Sequence, residues 1–347
     1  MSTPTNAYIR EAKLPEEFHE LSTIASRAFA SHPLNTYWSN QKVAVHLQEG
    51  KQKEKSLREL ARLLESTLRF VWLTGGRIMV VAVADGEGKE HLAAGAAWNA
   101  PDSSEKASLL TVLRAKFYRP ILDWGLPPLK RGLGEYLPVC EKQRKEAARK
   151  YGIKDNEYWY LELLFTNPDD EGRGHGGKLL REMDAYAPDK IFMLHAATER
   201  TIAIYNHKGW KTCGEDTIGV GKASEDGTRA KGEKAKGIRV VLMLKARQLI
   251  FLFSCVLIDV RNLRRGRHRK DGGLLGSCWW QYRIARPSDS MAFWYDRAVL
   301  DIVLQLLLWK GINVMFLIGP ACHRRRESGQ NLTDMGNNPA WRPKNKI

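Results

Sequence analysis

The sequence has few cysteines, five in 347 residues, and none of them is spaced as C-x-x-C. This scarcity argues against a zinc ribbon and against a disulfide framework. The His, Cys, Asp and Glu residues show no metal-ligand spacing either, so we expect no metal. The first residues lack a basic stretch followed by an apolar run, so we expect no secretory signal. Together these features predict a cytoplasmic protein, with a nuclear location as the alternative.

Positive charge is abundant but uneven. The net charge is +16, of which +10 falls on residues 247–347 and only +6 on residues 1–246. Because the bulk of the chain is only mildly basic, the total charge does not indicate a specific nucleic-acid partner.

Residues 246–347 form a basic and apolar tail without a consistent hydrophobic period, and we predict that they are disordered or irregular. One stretch, 298–319, is long enough to cross a bilayer. Asp301 and Lys310 would each cost roughly 2.5–3.5 kcal/mol near its centre, which disfavours membrane contact. Translated non-coding DNA is the other interpretation of this tail. We predict that truncation after residue 246 leaves a folded domain.

The remaining chain alternates strand and helix patterns in the order β, helices, ββ, insertion, βαβα, ββ. This order predicts an α/β (α+β) layer structure, in which helices flank a mixed, mostly antiparallel sheet with one right-handed crossover. Within a domain at 7–245, we interpret 102–150 as a helical insertion and 219–237 as a flexible loop. The predicted strands are Tyr8–Ala12, Ile78–Ala84, Leu92–Asn99, Trp159–Thr166, Ile191–Ala196, Trp210–Cys213 and Ile238–Leu244.

The most informative segment is a glycine-rich turn between a predicted strand and a predicted helix. Strand residues Leu164, Phe165 and Thr166 precede it, and the turn itself contains Arg173, Gly174, His175, Gly176, Gly177 and Lys178. Glycine lets backbone N–H groups approach a ligand closely, and a helix N-terminus favours negative charge. Arg173 and Lys178 add positive charge. We therefore predict a pyrophosphate cradle at Arg173–Lys178, although many helices begin after glycine for ordinary turn reasons. It is not a P-loop.

This segment resembles the acetyl-CoA-binding signature of the GNAT superfamily of N-acetyltransferases, [QR]-x-x-G-x-[GA]. Residues 171–176 match it except that Glu171 replaces Gln or Arg, and Leu164–Pro168 resembles the preceding L-x-V-x-P strand. Downstream, Tyr205–Trp210 resembles the family's Y-x-x-x-G-F element, with Trp for Phe. The resemblance covers roughly residues 7–245, and the insertion resembles decorations of fungal-type members thought to act on small molecules.

The resemblance implies roles for several residues. The backbone at Leu164–Thr166 would face the pantetheine and the thioester carbonyl, and Tyr205 would protonate the leaving thiolate. Packing in the core is the alternative for Tyr205. His175 would touch a phosphate, although an exposed loop histidine is the safer interpretation.

The acceptor side is less specific. Strand alternation places Glu162 on the face of Leu164 and Thr166, as a candidate base or as an edge glutamate in a salt bridge. We interpret His195 as a satisfied sheet histidine rather than a catalyst. Tyr37 and Trp38 follow the first helix, where the family builds its acceptor wall, so they either line the substrate pocket or pack.

The resemblance implies acetyl transfer from acetyl-CoA to a primary amine of a small molecule, by direct attack in a ternary complex. Two rivals stand beside it. One is a non-catalytic module of the same fold that binds CoA or a partner, and the other is an association of the tail with nucleic acid or an anionic membrane.

Overall fold

The structure, a computed structural model, describes residues 6–84, 89–154 and 157–246. Its framework is a seven-stranded sheet in the order β1-β2-β3-β4-β5-β7-β6. Only the β4–β5 pair is parallel among these neighbours. The mixed, mostly antiparallel sheet predicted from the sequence is therefore confirmed. The strands are β1 Asn6–Glu11, β2 Arg77–Ala84, β3 Glu90–Asn99, β4 Tyr158–Thr166, β5 Ile191–Ala196, β6 Lys211–Ile218 and β7 Ile238–Lys245.

The helices follow the predicted order. They are α1 Phe18–Ala28, α2 Pro33–Trp38, α3 Gly50–Leu73, α4 Ser103–Lys106, α5 Leu109–Arg114, α6 Tyr118–Trp124, a π-helix Leu129–Tyr136, α7 Leu137–Tyr151, α8 His175–Tyr186 and α9 Glu199–His207. Short 3₁₀ turns lie at Val45–Leu47, Pro168–Asp170 and Gly232–Lys234. Helix α2 was not predicted from the sequence. It is a short helix with Pro33 at its first position, where a backbone N–H would have no partner within the helix.

Helices cover both faces of the sheet because the strands alternate. In β2, Ile78 and Val80 pack against α1 and α3, whereas Met79 and Val81 belong to the core on the opposite side. In β7, Leu242 and Leu244 pack with α7, and Val241 and Met243 face the core that includes α8. We call these the α7 face and the α8 face. Burial on both sides explains the continuous apolar runs of the central strands.

The segment 102–150 is helical, as predicted, and α7 packs against β6 and β7. Gln143 Nε2 donates to the carbonyl of Val240 at 3.1 Å, and a Cβ built on Gly214 would lie 3.2 Å from the Gln143 side chain. The loop at 219–237 is tied to its surroundings by backbone hydrogen bonds, such as Gly221 N–H to Ala235 carbonyl at 2.8 Å. Its flexibility stays a prediction.

β6 is longer than the predicted strand Trp210–Cys213, and β7 lies between β5 and β6. Within the described ranges, no helix is long and apolar enough to cross a membrane. Apart from Ala246, the predicted tail lies outside the described residues.

Candidate functional site

The two parallel strands separate before they end. β4 and β5 pair from Tyr158–Ile191 to Leu161–Leu194, although β4 continues to Thr166 and β5 to Ala196. Beyond Leu161, the edge of β4 that faces β5 has no ladder partner in the described part of the chain. The result is a gap between β4 and β5 in the middle of the sheet.

The N-terminus of α8 lies against the α8-face side of this gap. A Cβ built on Gly176 would lie 3.7 Å from Thr166 Oγ1 and 3.9 Å from Leu164 Cδ2. Gly174 caps the helix with φ at 76°, a left-handed conformation that glycine adopts without strain. No described backbone or side chain accepts a hydrogen bond from the N–H groups of His175, Gly176 and Gly177. Three N–H groups and the positive end of the helix are thus available to an anion.

Cations surround this helix end. Arg173 is half-exposed and bonded to the buried Asp170 at 2.7 Å, which fixes its position. A Cβ built on Gly177 would lie 3.4 Å from an Arg181 guanidinium nitrogen and 3.6 Å from Lys208 Nζ. Lys178 is half-buried on the same turn. Neither Lys208 nor Arg181 was predicted from the sequence. Lys208 could have been considered, because it lies inside the Tyr205–Trp210 element and directly precedes Gly209.

His175 corrects one expectation. It is the first residue of α8 and is only 3% exposed, so it is not an exposed loop histidine. Neither ring nitrogen has a hydrogen-bond partner among the described residues. Burial lowers the pKa of His175, and the nearby positive charge of Lys178 lowers it further. The imidazole is therefore held neutral beneath the cradle.

Phe165 differs from its two neighbours in β4. Its side chain packs with the α1 and α3 core, and its ring lies 6.4 Å from that of Phe29. Leu164 packs instead with the core on the α8 face. Only the backbone of Phe165 is therefore placed to meet a ligand in the gap.

Tyr205 lies on α9, on the α8 face. Its ring packs edge-on against Trp210 at 5.7 Å, and burial raises the pKa of its hydroxyl. That hydroxyl has no hydrogen-bond partner among the residues that the structure describes. The ring packs as the alternative interpretation requires. The hydroxyl is not among the buried polar atoms that lack a partner, so water can reach it.

Glu162 lies on the opposite face from the predicted one. The β3–β4 register advances from Ala97–Leu163 to Trp98–Leu161, so Glu162 is the extra residue of a β-bulge. The bulge interrupts the alternation, and Glu162 accepts a 2.9 Å hydrogen bond from Asn99 Nδ2 on the α7 face. Solvent reaches the carboxylate although protein surrounds it, as in a side chain that lines a cleft. Burial raises its pKa, which Arg144 and Asn99 partly oppose.

Aromatic side chains line this cleft on the α7 face. The Tyr160 hydroxyl lies 2.7 Å from His195 Nδ1, and the ring of Tyr136 lies 6.5 Å from that of His195. Trp38 packs edge-on against Tyr136 at 5.2 Å. We call Trp38, Tyr136, Tyr160 and His195 the aromatic wall. The sequence analysis missed Tyr136 and Tyr160, which no motif marks.

Only one of the two ring nitrogens of His195, Nδ1, has a hydrogen-bond partner among the described residues. Its Nε2 is buried without a partner among the described residues, whereas a satisfied sheet histidine was expected. Burial, and after it the charge of Arg144, lower the pKa of His195 well below its ordinary value. The ring is therefore neutral at physiological pH, and its tautomer depends on whether Tyr160 donates or accepts.

Tyr37 and Trp38 behave differently. Tyr37 has no exposed surface, and its hydroxyl donates to Glu135 at 2.7 Å, so the expectation that it lines an open pocket is wrong. It is packed because the π-helix and the 219–237 loop enclose α2; Lys222 bonds the same Glu135 at 2.9 Å. Trp38 is half-buried and belongs to the aromatic wall.

The described residues contain no group of three or more His, Cys, Asp or Glu side chains arranged to hold a metal ion. The site therefore consists of backbone N–H groups and cations on one face of the gap, and a carboxylate with an aromatic wall on the other.

No family model matches the chain, and no curated protein matches its sequence. Among solved structures, a histone acetyltransferase and related acetyltransferase from Corynebacterium glutamicum is 20% identical, with a TM-score of 0.42, over 69% of this chain and 96% of that one. An agmatine N-acetyltransferase mutant is 13% identical, with a TM-score of 0.40, over 70% and 99%. A polyamine N-acetyltransferase from Drosophila melanogaster is 13% identical, with a TM-score of 0.37, over 70% and 100%.

The seven-stranded mixed sheet with helices on both faces is the GNAT-like fold that the sequence resemblance implies. The fungal-type character of the insertion finds no support in these three structures.

Proposed function

We propose that this protein is an N-acetyltransferase that transfers an acetyl group from acetyl-CoA to the primary amine of a small molecule. One observation carries the proposal: the gap between β4 and β5 has an open helix N-terminus on one face and a cleft carboxylate on the other. A pyrophosphate on the α8 face and an amine on the α7 face would meet in that gap.

The donor would be held mainly by backbone. The N–H groups of His175, Gly176 and Gly177 are oriented to bind phosphate oxygens, with Lys178, Lys208 and Arg181 adding charge. The unpaired edge of β4 at Leu164–Thr166 would receive the pantetheine arm and the thioester carbonyl. Hydrogen bonds from that edge would stabilise the negative charge that develops on the carbonyl oxygen.

The acceptor would enter from the α7 face. Glu162, acting directly or through a water, would take a proton from the attacking ammonium, and burial raises its pKa, which makes it a stronger base than an ordinary glutamate. The amine lone pair then forms a C–N bond to the carbonyl carbon. The nitrogen is then positively charged and loses its second proton to solvent. As the C–S bond breaks, the electron pair goes to sulfur, and the Tyr205 hydroxyl would supply the proton that yields free CoA thiol. The tyrosinate would regain a proton from solvent, so that one proton in all is released per acetyl transferred.

Two assays on the full chain test this proposal. Calorimetry measures CoA binding, and thiol release from acetyl-CoA in the presence of a panel of primary amines measures transfer. We expect binding and amine-dependent release. CoA binding without release by any amine would favour the non-catalytic module, and absence of CoA binding would overturn the proposal.

The tail-mediated rival has its own test. We expect no salt-dependent binding of the full chain to duplex DNA or to anionic vesicles beyond that of a variant truncated after residue 246. Tight, tail-dependent binding without acetyl transfer would favour that rival instead.

A further inference from the structure

Arg144 is a cation of α7 that lies over an aromatic ring of the cleft. Its guanidinium carbon lies 5.3 Å from the centre of the Tyr160 ring, within the aromatic wall. Two neighbouring cations of α7 pair with carboxylates instead: Lys142 reaches Asp216 at 3.4 Å, and Lys145 reaches Glu141 at 2.6 Å. Arg144 therefore differs from these two in its surroundings.

Arg144 has no carboxylate within salt-bridge distance in the described part of the chain. Its positive charge nevertheless acts on the cleft, because it lowers the pKa of both Glu162 and His195. At Glu162 this opposes the effect of burial, and at His195 it adds to the effect of burial. A guanidinium that is partly removed from bulk water loses solvation free energy, and this loss is not offset when the group has no charged partner. An anion from outside the chain would supply the missing partner.

The chemistry of Arg144 restricts that anion. The guanidinium fork binds a carboxylate or a phosphate through two parallel hydrogen bonds. A second cation on the acceptor would be repelled by Arg144. Glu162 provides the opposite charge in the same cleft, so the two groups together are complementary to a molecule that carries one amine and one anion.

We propose that Arg144 is a specificity residue of the acceptor cleft and selects amines that also carry an anionic group, a carboxylate or a phosphate. The inference rests on the proposed function in one respect only, namely that the bound amine is described as the acetyl acceptor. The aromatic wall, with its rings at 5–7 Å from one another, favours an acceptor with an aromatic or otherwise apolar side chain.

Matched pairs of amines test this inference. Tyrosine and tyramine differ by the carboxylate alone, and phosphoethanolamine and ethanolamine differ by the phosphate alone, so the two pairs separate the two anion sources. Binding of each amine to the full-length protein saturated with CoA is measured by calorimetry, which requires no turnover. Transfer from acetyl-CoA is measured in parallel.

We expect the anionic member of at least one pair to bind at least tenfold more tightly, and to show the higher kcat/KM. Arg144→Gln should remove this preference and leave the affinity for the member without the anionic group within twofold of the wild-type value. Arg144→Lys should keep part of the preference. Lys145→Gln, on the outer side of α7, should change neither. Arg144→Glu should shift the preference toward tyramine and ethanolamine.

Equal binding within both pairs in the wild-type protein would overturn the inference, whether or not the variants fold. So would an Arg144→Gln variant that keeps the wild-type preference. Discrimination in binding without any acetyl transfer would support Arg144 as the selector and reject the proposed function instead.

Discussion

The two faces of the β4–β5 gap are built in opposite ways. On the α8 face, the binding groups belong to the backbone of one contiguous turn, with glycine at Gly174 and Gly176. On the α7 face, they are side chains drawn from β3, β4, β5, α2, the π-helix and α7. A backbone site recognises a chemical group common to many ligands, whereas a site of convergent side chains recognises one ligand. The proposed donor and acceptor roles divide in the same manner.

This difference implies that substitutions on the two faces affect different measurements. Changes to the cradle should alter CoA affinity, whereas changes to the cleft should alter the acceptor and the proton transfers. Tyr205 is the exception, since it lies on the α8 face but would act on the chemistry.

Tyr205→Phe tests whether a residue of the α8 face takes part in the chemical step. If its hydroxyl protonates the departing thiolate, kcat should fall roughly 10²–10⁴-fold with little change in CoA affinity. Steady-state kinetics and calorimetry measure the two quantities. Tyr186→Phe, an exposed tyrosine on α8, is the matched control and should retain full activity. Full turnover by Tyr205→Phe would assign the ring to packing alone.

Glu162→Gln tests the α7 face. Loss of the base should lower kcat about 10²-fold without weakening CoA binding. Because burial raises the pKa of Glu162, wild-type kcat should increase with pH through a value above that of an ordinary glutamate. The variant should lose this acidic limb of the profile. Glu141→Gln, whose carboxylate pairs with Lys145 on α7, should keep it. An unchanged limb in the Glu162 variant would require a different base.

Gly176→Ala tests the backbone character of the cradle. A methyl group at this position meets only ordinary contacts in the structure, at 3.7 and 3.9 Å, so the domain should stay folded. The methyl would still occupy the space where a phosphate approaches the helix end, and CoA affinity should fall at least tenfold, about 1.4 kcal/mol. Calorimetry measures it.

Gly134→Ala is the control for this substitution, since it adds a methyl to a helical glycine with nothing within 4 Å. Gly174→Val should also weaken CoA binding at least tenfold, but it adds backbone strain at a positive φ. Unchanged CoA affinity in a folded Gly176→Ala variant would remove the cradle assignment.

His32 links pH to the α7 face, because it precedes α2, the helix that carries Trp38. Burial lowers the pKa of His32 to about 4 from 6.5. As the pH falls, the unfolded chain therefore binds the proton first, and stability is lost between pH 6.5 and 4. This single group should remove about 1 kcal/mol of unfolding free energy between pH 6.5 and 5.5. Urea titrations of the wild type and of His32→Gln measure it, and identical pH slopes would contradict the assignment.

The sequence predicted most of the fold because the strong signals were local. Continuous apolar runs, for example, marked β2 and β7. Helix α2 escaped prediction because six residues hold too little periodicity, and its helical form depends on contacts such as that of Tyr37 with Glu135, 98 residues away.

The candidate site was predicted unevenly for the same reason. The cradle is contiguous in sequence, so its glycines were visible. The face of Glu162 was predicted wrongly because a one-residue bulge opposite Ala97–Trp98 reverses the alternation, and bulges depend on the partner strand. The aromatic wall and Arg144 come from distant segments, and no spacing within any one of them indicates that they meet.

The position of β7 in the sheet has a consequence for biosynthesis. β6 is made before β7 but, among the described strands, pairs with β7 alone, and β5 has its second edge unpaired until β7 is inserted between them. During translation, the half of the sheet that borders the gap stays incomplete until Lys245 has left the ribosome. β5 and β6, with an edge open, are then templates for pairing with another nascent chain. Expression yield should therefore respond more to changes in β7 than to changes in β1, which pairs at the opposite edge.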